Sequence, residues 1–425
     1  MIKILEMNSV NESEIFTRSQ AMADISDAVA EIIEAVATRS DAALLEFTER
    51  FDGAKLEQLA VTPEEFEEAR AQVDPELARV MREAYQNIYD FHARQARNSY
   101  VVSDKPGVVL GQKVIPMAKV GLYVPGGTAA YPSTVLMDAA PANVAGVGEI
   151  VMVTPPGPDG KVTPAILVAA EIAGVSAVYK VGGAQAVAAL AYGTETIPQV
   201  DKIVGPGNAW VAEAKKQVFG QVAIDMIAGP TEILVIADGA SNPRFVAADL
   251  LSQAEHDVNA TAVLVTDSGE LARAVQAEIE VQLPELEREQ IARASIDNMG
   301  KIIVTDSLAG AIDVANRLAP EHLELCVDSP FDYLDAIKNA GSIFMGRYSA
   351  ESLGDYLAGP NHTLPTLGTA RFSSPLGVDD FVKTSQFIYY TKEAFMKVAR
   401  DVDLFARAEG LTAHGRAATI RLEEG

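Results

Sequence analysis

Cysteine is nearly missing: Cys326 stands alone in 425 residues, which rules out an intrachain disulfide and any cysteine-rich metal site. Long apolar runs are missing too. The apolar segment from Ala139 to Val153 is broken by Pro141, Asn143 and Glu149 and stopped by Pro155-Pro156, well short of the twenty or so residues a membrane span needs. The amino terminus, Met1-Ile2-Lys3-Ile4-Leu5-Glu6, has one lysine, soon an acid and no apolar run after it. It reads as neither signal peptide nor anchor, so a cytoplasmic protein is expected. Positive charge is in deficit, and a formal net charge of -25 opposes DNA, RNA and anionic membranes as partners. The excess acid, as in Thr62-Pro63-Glu64-Glu65-Phe66-Glu67-Glu68, reads as a solvated helix face. Two nucleotide signatures are also lacking. No G-x-G-x-x-G follows the first strand, and there is no P-loop Gly-Lys-Ser/Thr.

With 48% hydrophobic and 22% charged residues, the composition is globular, and the length suits two or three domains. Residues 1 to about 100 read as helical, from the spacing of Ile25, Val29, Ile32, Ile33, Val36, Leu44, Leu45 and Phe47. Ser40-Asp41 reads as a cap between two helices, Asp52-Gly53 as a stop, and Thr62 as the cap of the next helix. His92, on a helix beside Tyr89 and Phe91, reads as a packed or surface residue. From about residue 117, short β runs alternate with Ala-rich helices. Strands are expected at Val120–Val124, Ile150–Thr154, Ala177–Val181 and Lys202–Val204. A second set is expected at Ile233–Ala237, Ala262–Val265, Lys301–Val304, Leu323–Val327 and Ser342–Met345. This alternation predicts parallel sheets covered on both faces, and two similar halves suggest a duplication. From Thr391 onward the chain reads as helical and short of a core of its own.

Glycines cluster after strands of the first half, in Val124-Pro125-Gly126-Gly127-Thr128, Val181-Gly182-Gly183-Ala184-Gln185 and Gly205-Pro206-Gly207-Asn208. Small residues there let backbone amides approach a phosphate, although tight turns alone would account for any one of them. In the second half, Gln253 and His256 are three apart near the end of the expected helix Arg244–His256 and share a face. They could offer a metal an oxygen and a nitrogen, or simply face solvent. Asp355 could be a ligand or a cap, and His414 is equally open. Pro320-Glu321-His322 sets a carboxylate beside an imidazole between a helix and a strand, suited to proton transfer if the backbone turns there.

In order along the chain, Gly121-Leu122-Tyr123-Val124-Pro125-Gly126-Gly127, Gly182-Gly183-Ala184-Gln185-Ala186 and Gly205-Pro206-Gly207-Asn208 are followed by Ala228-Gly229-Pro230-Thr231-Glu232, Gln253-Ala254-Glu255-His256 and Pro320-Glu321-His322-Leu323. The series ends with Gly354-Asp355-Tyr356, Gly359-Pro360-Asn361-His362-Thr363-Leu364-Pro365 and Glu409-Gly410-Leu411-Thr412-Ala413-His414. From roughly residue 20 to 420 this set resembles the histidinol dehydrogenase family. The resemblance implies a zinc-dependent, NAD-linked oxidation of L-histidinol to L-histidine through histidinaldehyde, the last step of histidine biosynthesis.

It implies Gln253, His256, Asp355 and His414 as zinc ligands, one zinc per subunit, and Tyr123, Gln185 and Asn208 as NAD contacts. Glu321 and His322 are the implied acid/base pair. Thr231, where serine is usual, would contact substrate or its surroundings with Glu409 and His362, as would His322 and the four metal ligands. The working site would thus collect His256, His322 and His414 of five histidines. The implied homodimer would share its active sites, with Glu409 and His414 coming from the neighbouring subunit.

The expected architecture is α/β, with two Rossmann-like parallel-sheet domains lacking the dinucleotide fingerprint, a helical N-terminal region and an extended helical C-terminal tail. The boundaries run as a 1–20 arm, a first α/β domain of 21–116 with 232–375 carrying the metal and acid/base residues, an NAD-binding domain at 117–231, and a tail at 376–425 crossing to the partner subunit. Two other readings compete: a paralogue oxidising another small polar alcohol, and a scaffold that binds nucleotide or metal without catalysis.

Overall fold

The structure is a computed structural model that describes residues 1–16, 25–126 and 131–423. Gly127 and Thr128 of the first glycine-rich turn lie outside the described residues. The chain divides into two compact units, one of residues 1–95 with 117–381 and one of residues 96–116 with 382–425. Among the described residues no helix is long and apolar enough to cross a membrane.

The first unit opens with β1 (Lys3–Glu6) and α1 (Glu12–Phe16), then the amphipathic helices α2 (Ser26–Arg39), α3 (Asp41–Asp52), α4 (Pro63–Gln72) and α5 (Pro75–His92). Two of their local signals, the Thr62 cap and the Gly53 stop, are those read in the sequence. Thr62 and Glu65 form a reciprocal capping box at α4, and Gly53 ends α3 in the left-handed region. The cap expected at Ser40 is not formed: Ser40 links α2 and α3 at φ 57, and its side chain makes no capping hydrogen bond. His92 is fully buried with Nδ1 2.8 Å from the Ile88 carbonyl oxygen, a packed histidine.

Beyond β2 (Tyr100–Val102) and β3 (Val108–Pro116), which belong to the second unit, come the strands β4 (Lys119–Tyr123), β5 (Glu149–Thr154), β6 (Ala177–Lys180), β7 (Lys202–Val204) and β8 (Ala223–Ile224). They pair in parallel in the order β6-β5-β4-β7-β8, separated by α6 (Pro132–Ala145), α7 (Pro164–Ile172), α8 (Gly183–Tyr192) and α9 (Ala209–Val218). Alternate residues feed opposite cores. Val151 and Val153 pack with α8 and α9, whereas Ile150 and Met152 pack with α6 and α7.

A second parallel sheet is built from β9 (Glu232–Ala237), β10 (Thr261–Thr266), β11 (Lys301–Val304), β12 (His322–Cys326) and β13 (Ser342–Met345), with β1 added at one edge. The helices between and after them are α10 (Pro243–Ala254), α11 (Gly269–Gln282), α12 (Glu289–Asn298), α13 (Leu308–Leu318) and α14 (Glu351–Tyr356). The order β1-β11-β10-β9-β12-β13 repeats, β1 aside, that of the first sheet, as a duplicated unit would. In both, the order reverses beside the first strand, the arrangement of a doubly wound dinucleotide-binding fold.

Two groupings differ from the expected boundaries. The arm at 1–20 contains β1, which pairs in parallel with β11, Lys3 opposite Lys301. Helices within 21–116 do not accompany the 232–375 sheet: α2 and α3 complete the core over α8 and α9, and α4 and α5 complete the one over α6 and α7. An amphipathic pattern shows which helix face is buried but not which sheet buries it. The expected helical reading of the first hundred residues also missed β1, whose four residues are too few for an alternation to stand out.

The second unit is an antiparallel sheet in the order β14-β3-β2, where β14 (Val382–Tyr390) pairs with β3 along its whole length. The Phe387 ring lies over Gly111, its register partner, where a Cβ would collide with it. Helices α15 (Lys392–Ala408) and α16 (Thr412–Thr419) follow, as the helical reading after Thr391 expects.

Candidate active site

Pro320, Glu321 and His322 occupy the bend between α13 and β12. Ala319 caps α13 in the left-handed region at φ 45, and β12 starts at His322. The turn the adjacent pair requires is therefore present, and Glu321 Oε2 lies 3.7 Å from His322 Nδ1. The imidazole is almost fully buried, with Nδ1 2.9 Å from the Glu232 carbonyl oxygen. A carbonyl can only accept, so Nδ1 carries the proton and Nε2 keeps its lone pair. That Nε2 has no hydrogen-bond partner. It sits at a cavity of about 180 Å³ lined also by Phe344, Asp355, Asn361 and His362.

Burial pushes the Glu321 carboxyl up to about 8, against the pull of the Thr231 hydroxyl and the Glu232 N–H. That N–H donates to Glu321 Oε2 at 2.9 Å. The Thr231 oxygen lies 2.7 Å from both Glu321 Oε2 and Gln253 Oε1, yet a hydroxyl has one proton to give. Gln253 Nε2 meanwhile is buried without a partner. Exchanging the two ends of this amide lets its NH2 donate to Thr231, frees the hydroxyl proton for Glu321, and turns the Gln253 oxygen inward, where a cation could take it.

Gln253 is buried in the last turn of α10, which ends at Ala254 rather than at His256. His256 therefore sits in the following turn, its N–H bonded to the Gln253 carbonyl at 3.1 Å. Burial lowers its pKa, opposed by the negative charge of Asp355. Asp355 lies in α14, four residues after Glu351 and hence on the same face. Burial would raise the Asp355 carboxyl, but His362, with Nδ1 3.5 Å from Oδ1, draws it well below the usual range. His362 is in turn raised: burial opposes its charge, and the bond to Asp355 prevails.

His322, Glu351 and Asp355 each turn a donor atom to within 4.8 Å of the others, a spacing that could hold a metal ion. Glu351 escaped the sequence reading, although Glu351 and Asp355 stand at helical i, i+4 spacing. Its signal was the spacing alone, in a helix only six residues long. A second such group, Asp249, Glu324 and Cys326, lies beneath. The Cys326 thiol is buried and raised by burial and by the charges of Glu324 and Asp249, while Glu324 Oε1 accepts the Glu351 N–H at 2.7 Å.

The residues expected at a dinucleotide cluster at the carboxyl ends of strands of the other sheet. Tyr123 ends β4 and is buried, its hydroxyl accepting the Gly183 N–H at 3.0 Å across the end of β5. Gln185, also buried, folds back over Gly183. Asn208 caps α9, its Oδ1 accepting from Trp210 and Val211 at 3.0 and 3.2 Å. Gly205 has φ +112 and lies where a Cβ would strike the Tyr123 carbonyl oxygen. Its turn is held from below. The Gly205 N–H donates to Asp225 Oδ2 at 2.8 Å, and Lys215 Nζ donates to the Gly205 carbonyl at 2.9 Å and to Asp225 Oδ1.

The two groups of residues are tied together through α6. Asn361 Nδ2 donates to the Met137 carbonyl at 2.7 Å, and the Thr363 hydroxyl to Asp138 Oδ1 at 2.9 Å. Asp138 is fully buried, raised to about 7 by burial and by Asp225. Glu409 caps α15 at its C-terminal end and His414 lies in α16; both are exposed residues of the second unit. Among the described residues, no distance joins them to the cluster around His322.

A family model described as histidinol dehydrogenase matches residues 16–422. The histidinol dehydrogenase of Clostridium acetobutylicum is 52% identical over 428 residues, covering 100% of this chain and 99% of that protein. That of Geobacillus kaustophilus is 56% identical over 398 residues, 94% of each chain. The crystal structure of histidinol dehydrogenase from Elizabethkingia anophelis superposes with a TM-score of 0.94 at 40% identity, covering 100% of this chain and 98% of the other. With the sheet order, the glycine turns and the Glu321–His322 pair all in place, the chain belongs to the histidinol dehydrogenase family.

Proposed function

We propose that this chain oxidises L-histidinol to L-histidine with NAD and one zinc ion per subunit. The observation that carries the reading is the buried His322 ring, its Nε2 without a hydrogen-bond partner, at a small cavity that Asp355 and His362 also line. Buried polar groups are rarely left without partners unless a ligand supplies them. Oxygen and nitrogen donors without thiolate suit Zn²⁺ and would also take Mn²⁺ or Co²⁺.

Gln253, His256 and Asp355 would hold the metal. Zinc, when bound, would hold and orient the substrate through its imidazole and amine rather than activate water. NAD, when bound along Tyr123, Gln185 and Asn208, would accept hydride at each of the two oxidations. His322 Nε2 takes the alcohol proton at the first. After His322 passes that proton to solvent, Glu321, 3.7 Å from the ring, draws a proton from the water adding to the aldehyde, and the freed Nε2 takes a hydrate proton at the second oxidation. The Glu232 carbonyl keeps Nε2 as the accepting nitrogen throughout. Thr231 and His362 border the substrate, Thr231 with its hydroxyl kept where serine is usual.

Glu409 and His414 are proposed to complete the site of a neighbouring subunit, with His414 as the fourth zinc ligand. The support is the family resemblance and their exposure in the second unit. The test is NADH formation from histidinol by the full chain. We expect turnover that is lost with a chelator and restored by Zn²⁺, and no comparable rate with a panel of diols and other amino alcohols. Turnover untouched by the chelator removes the metal, and preference for another alcohol names a paralogue. NAD and zinc binding without turnover would point to a non-catalytic scaffold.

A further inference from the structure

We propose, resting on that reading of the cofactor, that Asp52 at the end of α3 accepts a hydrogen bond from a ribose hydroxyl in the adenosine half of NAD, and so selects NAD over its 2′-phosphorylated form. The Asp52 Oδ2 is buried and has no hydrogen-bond partner. So is the hydroxyl oxygen of Thr48, one helical turn earlier on the same face of α3. A carboxylate buried only for packing would find a donor or a cation, because its desolvation otherwise goes uncompensated. Burial alone pushes the Asp52 carboxyl up to about 6, with no opposing pull from a donor or a cation.

The carboxylate lies at the cofactor end of the first sheet. Tyr123, which ends β4, packs in one core with Ala43, Leu44 and Phe47 of α3. Its hydroxyl is raised chiefly by burial and further by the negative charge of Asp52, so the two side chains are neighbours. The chain that follows α3 runs antiparallel along β6: the Lys180 N–H donates to the Leu59 carbonyl at 2.7 Å, and Ala60 bridges Tyr179. Lys180 is the last residue of β6, so Asp52 and the residues up to Gln58 lie beyond the carboxyl end of that strand. Leu56 there meets Gly160, in the loop that leaves β5.

The sheet order says which half of the dinucleotide comes here. In a doubly wound fold the cofactor crosses the switch point, and an acid after the second strand takes the 2′-hydroxyl of the adenosine ribose. The switch point falls between β4 and β7, so β5 and β6 lie on the adenosine side. Yet β5 is followed by Pro155-Pro156-Gly157-Pro158, without an acid. The next residue, Asp159, has its Oδ1 accepting the Lys161 N–H at 3.1 Å. The acid missing after β5 is thus supplied by α3. An ionised Asp52 accepts strongly from a hydroxyl and repels a phosphate in the same place, which gives discrimination as well as affinity.

The experiment is binding of NADH and of NADPH to the full-length protein, read by nicotinamide fluorescence, for the parent, Asp52→Asn and Asp52→Ala. We expect the parent to prefer NADH. Asp52→Ala should bind NADH about ten- to a hundredfold more weakly, with NADPH affinity unchanged or higher, so that the preference narrows by at least that factor. Asp52→Asn, which keeps an acceptor oxygen but not the charge, should narrow the preference as well while losing less affinity for NADH. Without ligand it should melt no lower than the parent, because a buried charge without a partner has been removed. An unchanged preference in both variants, whether from parent-like NADH affinity or from equal loss of both nucleotides, overturns the proposal and leaves the cofactor reading standing. A parent that binds neither nucleotide overturns both.

Discussion

At His322 two neighbours divide the work. The Glu232 carbonyl holds the proton on Nδ1, and the buried cavity leaves Nε2 bare. Replacing the ring should therefore remove proton transfer without disturbing the cofactor sheet. We expect His322→Ala to lower kcat by about 10² to 10⁴ while NAD affinity stays at the parent value, and an unchanged kcat would take His322 out of the reaction. Glu321→Gln should spare alcohol oxidation and slow oxidation of supplied histidinaldehyde; equal loss of both steps would deny Glu321 a separate role.

Asp138 gives a pH dependence with a definite sign. Its folded pKa of about 7 lies above the ordinary 3.8, so the folded state holds the proton more tightly than the unfolded chain. The stability it contributes is complete below about pH 4 and lost as pH rises toward about 7. Asp138→Asn cannot ionise, so its Tm relative to the parent should climb between pH 4.5 and pH 8. A constant difference across that range would show that Asp138 is not protonated in the folded protein. These residue-level roles were unevenly legible. Glu321, His322, Gln253 and Asp355 stand in recognisable stretches, whereas Asp138 matters only because Thr363 and Asp225, both distant in sequence, close around it.

Turns and short elements do most of the positioning. The Gly205 turn keeps its shape through a positive φ, contact with the Tyr123 carbonyl and the Lys215–Asp225 pair below it. Gly205→Ala should cost more than about 1 kcal/mol of stability and weaken NAD binding, with zinc affinity unchanged. Parent-like NAD affinity would show that the turn does not position the cofactor. The nine strands read in the sequence, which leave out β2, β3 and β8, fall within a residue or so of those observed because buried parallel strands are dense β-branched runs between glycines, as at Lys202–Val204 and Lys301–Val304. β14 was not readable, since Val382–Tyr390 mixes polar and aromatic residues and takes its conformation from β3 opposite.

On the scale of the molecule, the residues proposed for the two halves of the site lie at opposite ends of two sheets of one order. Of those proposed for the dinucleotide, Tyr123 ends β4 and Asn208 follows β7, while Thr231 precedes β9 and His322 begins β12. Strand assignments alone could not reveal this, because a parallel strand reads the same whichever end is functional. Nor could they say which sheet α2 to α5 cover. If subunits share sites as proposed, His322→Ala and His414→Ala proteins, each inactive alone, should recover activity after denaturation and refolding together. Random pairing gives about one quarter of the parental sites. No recovery, with mixed dimers confirmed through an affinity tag carried by one of the two proteins, would place His414 in its own subunit's site or outside any site.

Cys326 is the chain's one thiol, 6% exposed beneath the Glu351 helix and held protonated by burial and its acidic neighbours. Maleimides react with exposed thiolates, so the natural protein should remain almost unlabelled at neutral pH. It is thus a ready background for spectroscopy. One cysteine introduced on the surface, with nothing else removed, can carry a spin or fluorescent label that reports on helix α14 as zinc enters and leaves.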